Sequence, residues 1–267
     1  KHWMDGRVPR PPVEDIIKSA VGIETEGYTH QSVFSYPIEG GIEALVRAIE
    51  EPVKDSVITS AEVTAIEKTA SGWKVTAGGK VYEGDRIIST IPLQNLLLMI
   101  SAPAEIKAAV DALRYNSIAC ISVGIKGTVP DISWMYIPEE KWGAFNRLSF
   151  PSNFSSKAAP EGCSSILAEI TYNEGDVISK MSDDEIIAHT VSGLKEMGLV
   201  ADNVVHTAVD RFKYAYVVYD VDYLKNIKTA REWIEAFGID LVGRFSQFEY
   251  LNMDGCIRSV MNFVEKQ

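Results

Sequence analysis

The residues best suited to chemistry are concentrated in Gly243-Arg244-Phe245-Ser246-Gln247-Phe248-Glu249-Tyr250-Leu251-Asn252-Met253-Asp254. A short apolar run, Ile239 to Val242, leads into this stretch, and Cys256 to Val264 follows with apolar residues at helical spacing. The order reads as strand, glycine turn, polar loop and helix, with Asp254 as the expected N-cap. The first N–H groups of a helix attract an anion, and an arginine beside them adds two donors, so the loop suits a phosphate. The same pattern also fits an ordinary strand–loop–helix with a surface arginine.

Three other segments carry polar groups on strand-like, largely apolar runs. They are Phe145 to Ser155 with Arg147, Ala168 to Tyr172 with Glu169, and Tyr214 to Asp220 with Tyr216 and Tyr219. A charge on a buried sheet face is costly unless paired. Arg147 and Glu169 either form that pair or both face water. The four histidines, His2, His30, His189 and His206, do not cluster with carboxylates or cysteines at ligand spacing, so no metal site is expected. No G-x-S-x-G elbow marks a nucleophilic serine.

The surrounding elements must position these groups. Pro9, Pro11 and Pro12 stiffen a connector after Trp3, and a helix is expected from Val13. Tyr36-Pro37 ends an extended segment. Gly40-Gly41 then opens a helix with apolar Ile42, Leu45, Val46 and Ile49. Two glycines there let another group approach the backbone closely, although one would serve a plain helix entry. From Val57 to Pro92 the chain is β-rich. Its short runs are Val57-Ile58-Thr59, Val63 to Ile66, Trp73 to Thr76, Val81-Tyr82 and Arg86 to Thr90, punctuated by Gly72 and Gly78-Gly79. Leu93 to Leu113 is helical with a break at Pro103. Further strands are expected at Ile118–Val123, Trp134–Ile137, Ala144–Phe150, Ser165–Tyr172 and Val204–Val218, and helices at Asp183–Met197 and near Val221–Phe237. The predicted class is α+β. The antiparallel sheet is expected to pack one face on helices and to turn the other toward the Gly243–Asp254 loop.

Composition narrows the function classes. The 267 residues are 46% hydrophobic, enough for a full core. A net charge of -11 argues against a nucleic-acid or membrane-surface role. No run reaches the ~18 apolar residues of a membrane span. Cys120, Cys163 and Cys256 are odd in number and far apart, which fits a reducing, cytoplasmic setting rather than a disulfide framework. The chain starts with lysine, and no glycines have G-x-G-x-x-G spacing. It is expected to be a C-terminal fragment of something longer.

The wording GRFSQFEYLNMD resembles the closing flavin motif of UDP-galactopyranose mutases and of the related protoporphyrinogen-oxidase and amine-oxidase-like flavoproteins. The phrases YPIEGG (Tyr36–Gly41) and DRIISTIP (Asp85–Pro92) are similar to others in that family, and NRLSF and AEITY resemble mutase segments. The resemblance implies an α+β flavoprotein fragment with FAD as cofactor. Residues 1–95 would be a partial FAD-binding region with a β-meander, 96–237 a substrate-binding domain, and 238–267 the closing FAD-binding strand, loop and helix. Gly40 and Gly41 would stand next to the flavin, and the Val63 backbone would touch adenine. Gly243 and Arg244 would meet the pyrophosphate, and Asn252, Met253 and Asp254 would line the flavin side. Arg147, Tyr216 and Tyr250 would be the catalytic residues, facing a small-molecule substrate. Asn252 departs from the mutases' aspartate, and Val217 from their proline.

The leading functional expectation is an FAD-dependent oxidoreductase. The alternatives are a mutase-like isomerase acting on a nucleotide sugar, or a binding or scaffold domain without activity. With the dinucleotide fingerprint missing, the chain by itself is expected to hold FAD weakly. Its expected partners are an N-terminal Rossmann segment and, through apolar surface left uncovered, further copies of itself.

Overall fold

A computed structural model describes residues 11–23 and 34–266. His2, His30 and the connector from Trp3 to Arg10 lie outside the described residues. Proline starts three of the helices, α1 (Val13–Ala20), α3 (Leu93–Met99) and α4 (Ala104–Asp111). Pro12, Pro92 and Pro103 hold φ between -53° and -57° with extended ψ, so the chain turns into the helix without a side-chain cap. The helix α2 (Glu43–Glu50) follows Gly40 and Gly41, whose φ values of +79° and +61° both lie in the left-handed region.

The meander comprises β1 (Val63–Lys68), β2 (Trp73–Ala77) and β3 (Lys80–Gly84), all antiparallel. Ala77 pairs with Lys80 across the two-residue turn Gly78-Gly79, with φ of +55° and +75°, the geometry that a tight hairpin demands. The strand expected at Val57-Ile58-Thr59 is not formed. A 3₁₀ turn, Glu51–Ser56, precedes it, Ser60 turns the chain at φ +54°, and Val57 and Ile58 stay exposed without a partner strand. The next strand, β4 (Ile87–Ser89), leaves the meander and pairs in parallel with β10 (Ile239–Leu241), more than 150 residues away.

The five-stranded antiparallel sheet has the order β6-β7-β8-β5-β9. Its strands are β5 (Tyr115–Lys126), β6 (Trp134–Tyr136), β7 (Arg147–Ser149), β8 (Cys163–Tyr172) and β9 (Val204–Val217). Alternate residues of β5, Ala119, Ile121, Val123 and Ile125, are at most 1% exposed. They pack with Phe145, Leu148, Phe150 and α5 (Asp183–Glu196). That helix begins with a capping box between Ser182 and Glu185, which satisfies two of its orphan donors.

A second core joins α3, α4, α6 (Tyr223–Phe237), the meander and β10 through Leu93, Leu96, Val110, Ile234 and Ile239. The helices at 93–111 and 223–237 thus pack with the meander and meet the five-stranded sheet at Val217 and Tyr115. The mixture of helices with antiparallel sheets is the α+β class expected. Among the described residues, α1, α2 and the last helix, α7 (Met253–Val264), bury no side chain.

Candidate functional site

The Gly243–Asp254 stretch leaves β10 at Gly243, where φ is +89° and only glycine is unstrained. Its loop is fastened from all sides. Ser246 Oγ donates to Val242 O at 2.8 Å, and Glu249 N donates to Arg244 O at 2.9 Å. Tyr223 Oη of α6 donates to Phe248 O at 2.7 Å, and Tyr219 Oη accepts from Tyr250 N at 2.7 Å. These bonds hold Phe248 in the left-handed region at φ +52°, with its side chain buried.

Arg244 ties the loop to the sheet. Its Nη1 donates to Leu251 O at 2.9 Å, and its Nη2 donates to Ala215 O of β9. The guanidinium carbon lies 4.4 Å from the Tyr250 ring centroid and 5.6 Å from that of Tyr216. Those two rings stack nearly parallel, 5.7 Å apart at 13°. Such contacts favour a cation over the ring faces. Arg244 Nε is buried without a partner among the described residues.

The helix after the loop starts earlier than the pattern suggests. Its N-cap is Asn252, with ψ of 176°, and Cys256 N donates to Asn252 O at 2.9 Å. Asp254, the expected N-cap, is instead the second residue of α7. Asparagine and aspartate cap equally well, and the backbone turns at the earlier of the two. The Asn252 side chain makes no capping hydrogen bond.

The sheet contributes a polar row running straight across its strands. The register sets Tyr136 opposite Arg147, Arg147 opposite Glu169, Glu169 opposite Cys120 and Cys120 opposite Asp210. Directly opposed residues share a face, so all five point away from the core that holds Ile121 and Val123. Glu169 is 4% exposed. Arg147 Nε donates to Glu169 Oε1 at 2.8 Å, and Arg147 Nη2 donates to the same oxygen. Tyr216 Oη donates to Glu169 Oε2 at 3.3 Å. Of the two alternatives left by the pattern, Arg147 and Glu169 are therefore the paired one. Burial opposes the charge of Arg147, but the hydrogen bonds and charge of Glu169 outweigh it and raise the guanidinium pKa above its ordinary value. Burial, and then the neighbouring carboxylate, push the Tyr216 hydroxyl up to about 12 and the Cys120 thiol up to about 11.

One cavity of about 1040 Å³ collects most of these groups. Arg147, Tyr216, Tyr250, Gly243, Arg244, Asn252 and Met253 all line it. Leu45, Val46 and Ile49 of α2 and Ile257 and Val260 of α7 supply aliphatic walls, with Thr90 and Val242 at the strand ends. Gly40, Gly41, Val63 and Asp254 do not line it. Val63 packs against the core of the meander, and Asp254 is exposed. The pattern named Glu169 only as a possible ion partner and passed over Cys120 and Tyr136; their period-two placement on neighbouring strands was the available signal. His189 accepts from Ala144 N at 3.0 Å, a structural bond. Among the described residues no His, Cys, Asp or Glu cluster could hold a metal, and no helix is long and apolar enough to cross a membrane.

This geometry can be set beside known proteins. Human protoporphyrinogen oxidase is 24% identical over 275 positions, which cover 95% of this chain and 54% of that protein. A reduced UDP-galactopyranose mutase superposes with a TM-score of 0.81 at 25% identity, over 93% of this chain and 55% of its own. A redesigned putrescine oxidase shares the fold, with a TM-score of 0.63 at 14% identity over 85% of this chain and 53% of its own. The chain thus spans about half the length of these relatives. The model of the family described as flavin containing amine oxidoreductase matches residues 20–259, from α1 through the Gly243 loop and into α7, and the chain belongs to that family.

Proposed function

We propose that this chain is the substrate-binding and closing part of an FAD-dependent oxidoreductase, completed by a dinucleotide-binding segment. The observation that carries this reading is the shared cavity, aliphatic on two walls, in which Arg147 is paired with a carboxylate and both Arg244 Nη atoms are held by backbone carbonyls. An apolar cleft with few polar groups suits an oxidisable, largely uncharged molecule better than a diphosphate. The parallel pair β4–β10 supports the need for a further segment. Parallel sheets are normally wider and covered on both faces.

The residues fit FAD. The N-terminal N–H groups of α7 suit an anion, the Asn252 amide makes no capping bond, and a Cβ added at Gly243 would meet nothing within 4 Å. When bound, FAD supplies the two-electron acceptor. In this proposal the chain's own residues do the rest. Gly243 lets the cofactor approach the backbone. Arg244 holds the loop against β9 and keeps Tyr216 and Tyr250 in register. The walls of α2 and α7 exclude water. Tyr216, protonated up to about pH 12, serves as a hydrogen-bond donor throughout the working range. Arg147 and Tyr250 border the substrate space. Gly40, Gly41, Val63 and Asp254 are proposed to contact the cofactor outside this cavity.

A second reading, a flavin-dependent isomerase of nucleotide sugars, is favoured by the mutase likeness and by Arg147, Tyr216 and Tyr250 bordering one cavity. The test joins this chain to a relative's dinucleotide-binding βαβ unit. FAD should bind the joined protein stoichiometrically, and bind the chain alone at least a hundredfold more weakly. Anaerobic mixing with primary amines and reduced porphyrins should bleach the flavin band. Turnover of a nucleotide sugar by pre-reduced protein, without net bleaching, would establish the second reading. A joined protein that ignores FAD would leave only a binding or scaffold domain.

A further inference from the structure

We infer that Glu169 is a specificity-determining residue: it cancels the charge of Arg147 at the sheet end of the cavity and so selects uncharged substrates over phosphorylated ones. This rests on reading the cavity as the substrate site. Arg147 is the cationic side chain that β7 offers to the cavity, and its side chain is 33% exposed. Two of its donors converge on one oxygen of a carboxylate that is itself 4% exposed. The other oxygen takes the Tyr216 hydroxyl, so both carboxylate oxygens are occupied and the pair is fixed.

No other described group is bonded to the Arg147–Glu169 pair with a charge of its own. Cys120, opposite Glu169 on β5, keeps its proton and brings no charge. Asp210, opposite Cys120, is negative and exposed at the far edge of the row. The second cation of the cavity, Arg244, directs two nitrogens to the carbonyls of Leu251 and Ala215. Among the described lining residues the remaining charge is Glu50, which is negative. At the sheet end of the cavity a diphosphate meets only a cation already paired, and would have to break a buried ion pair to use it.

Substitution of Glu169 alone should therefore create an anion site, since an unpaired guanidinium in an apolar cleft attracts any small anion strongly. The experiment measures binding of inorganic pyrophosphate to this chain by calorimetry, with folding verified by circular dichroism. Glu169→Gln should bind pyrophosphate at least about tenfold tighter than the parent chain. The double variant Arg147→Met/Glu169→Gln should return to the parent affinity. Binding that is equal in all three chains would refute the inference, because Arg147 would then gain nothing from release. A parent chain that loses tenfold or more in the double variant would also refute it, because the native pair would already be recruiting the diphosphate. If Glu169→Gln does not fold, the parent and the neutral double variant decide: equal affinities uphold the inference and a loss overturns it. No flavin enters this measurement, so its outcome is independent of whether the joined protein binds FAD.

Discussion

Around the five-stranded sheet, Ile121, Phe145, Leu148, Ile166 and Ile186 are at most 1% exposed, whereas Ile17 on α1, Ile49 on α2 and Val260 on α7 are 59%, 57% and 47% exposed. Both sets lie on elements with well-formed apolar faces. The sheet closes its own core with α5, Phe145 and Phe150. The three helices carry apolar faces of which no residue is buried. Helices of eight to twelve residues gain little from propensity alone. One region therefore closes a core of its own, and the other leaves its apolar faces open among the described residues. The contrast shows that amphipathic periodicity reports which residues seek burial, not which find it.

The largest expected effects lie within the closed core. At Gly193 of α5 an added Cβ would overlap the Trp142 carbonyl oxygen. Gly193→Ala should therefore destabilise the chain by more than about 2 kcal/mol, although alanine is the better helix former. Phe145→Ala should cost about 3–5 kcal/mol. Val46→Ala and Ile49→Ala on α2 should stay within about 0.5 kcal/mol in the same urea titrations. Equal costs on both sides would break the comparison.

A smaller effect separates the two helix starts. Ser182 accepts from Glu185 N at 3.3 Å, so Ser182→Ala should cost about 1 kcal/mol. Asn252→Ala should cost only a few tenths, since its side chain makes no capping bond. The same Asn252→Ala change should weaken FAD binding to the joined protein by roughly tenfold, the loss of one hydrogen bond. An Asn252→Ala chain as destabilised as Ser182→Ala would make Asn252 a structural cap.

The last effect, which shows only at alkaline pH, is a pH dependence at the boundary between the regions. The Tyr216 hydroxyl has a folded pKa of about 12 against an ordinary value of 10.0, raised first by burial and then by Glu169. The unfolded chain therefore releases this proton first. The stability contributed by the protonated phenol is fully present below pH 10 and is lost as pH climbs through about 12. Tyr216→Phe should flatten that alkaline decline in denaturation curves and remove one late-ionising phenol from the ultraviolet titration. An unchanged decline would show that Tyr216 is not screened from solvent as described.

Much of this was legible from local chemistry. The Gly78-Gly79 hairpin, the break at Pro103 and the strand–turn–loop–helix around Gly243 follow from residues that restrict their own backbone or cap a neighbour's. The strand-like Val57-Ile58-Thr59 misled because β-propensity describes a fit to a pleated surface, and no partner strand offers one. Asp254 misled because two competent capping residues stand two positions apart, and the backbone angle at Asn252 selected between them.

The sequence by itself determined the α+β class, the alternation that gives the sheet one apolar face, and the flavoprotein wording of the loop. Only the tertiary structure decided what the two arginines do. Arg147 meets Glu169 across 22 residues of chain and Arg244 meets Ala215 across 29. Pattern fixes the face on which a strand residue lies, but the register between strands fixes its neighbour, and that register is set by the packing of whole elements rather than by any preference local to the chain.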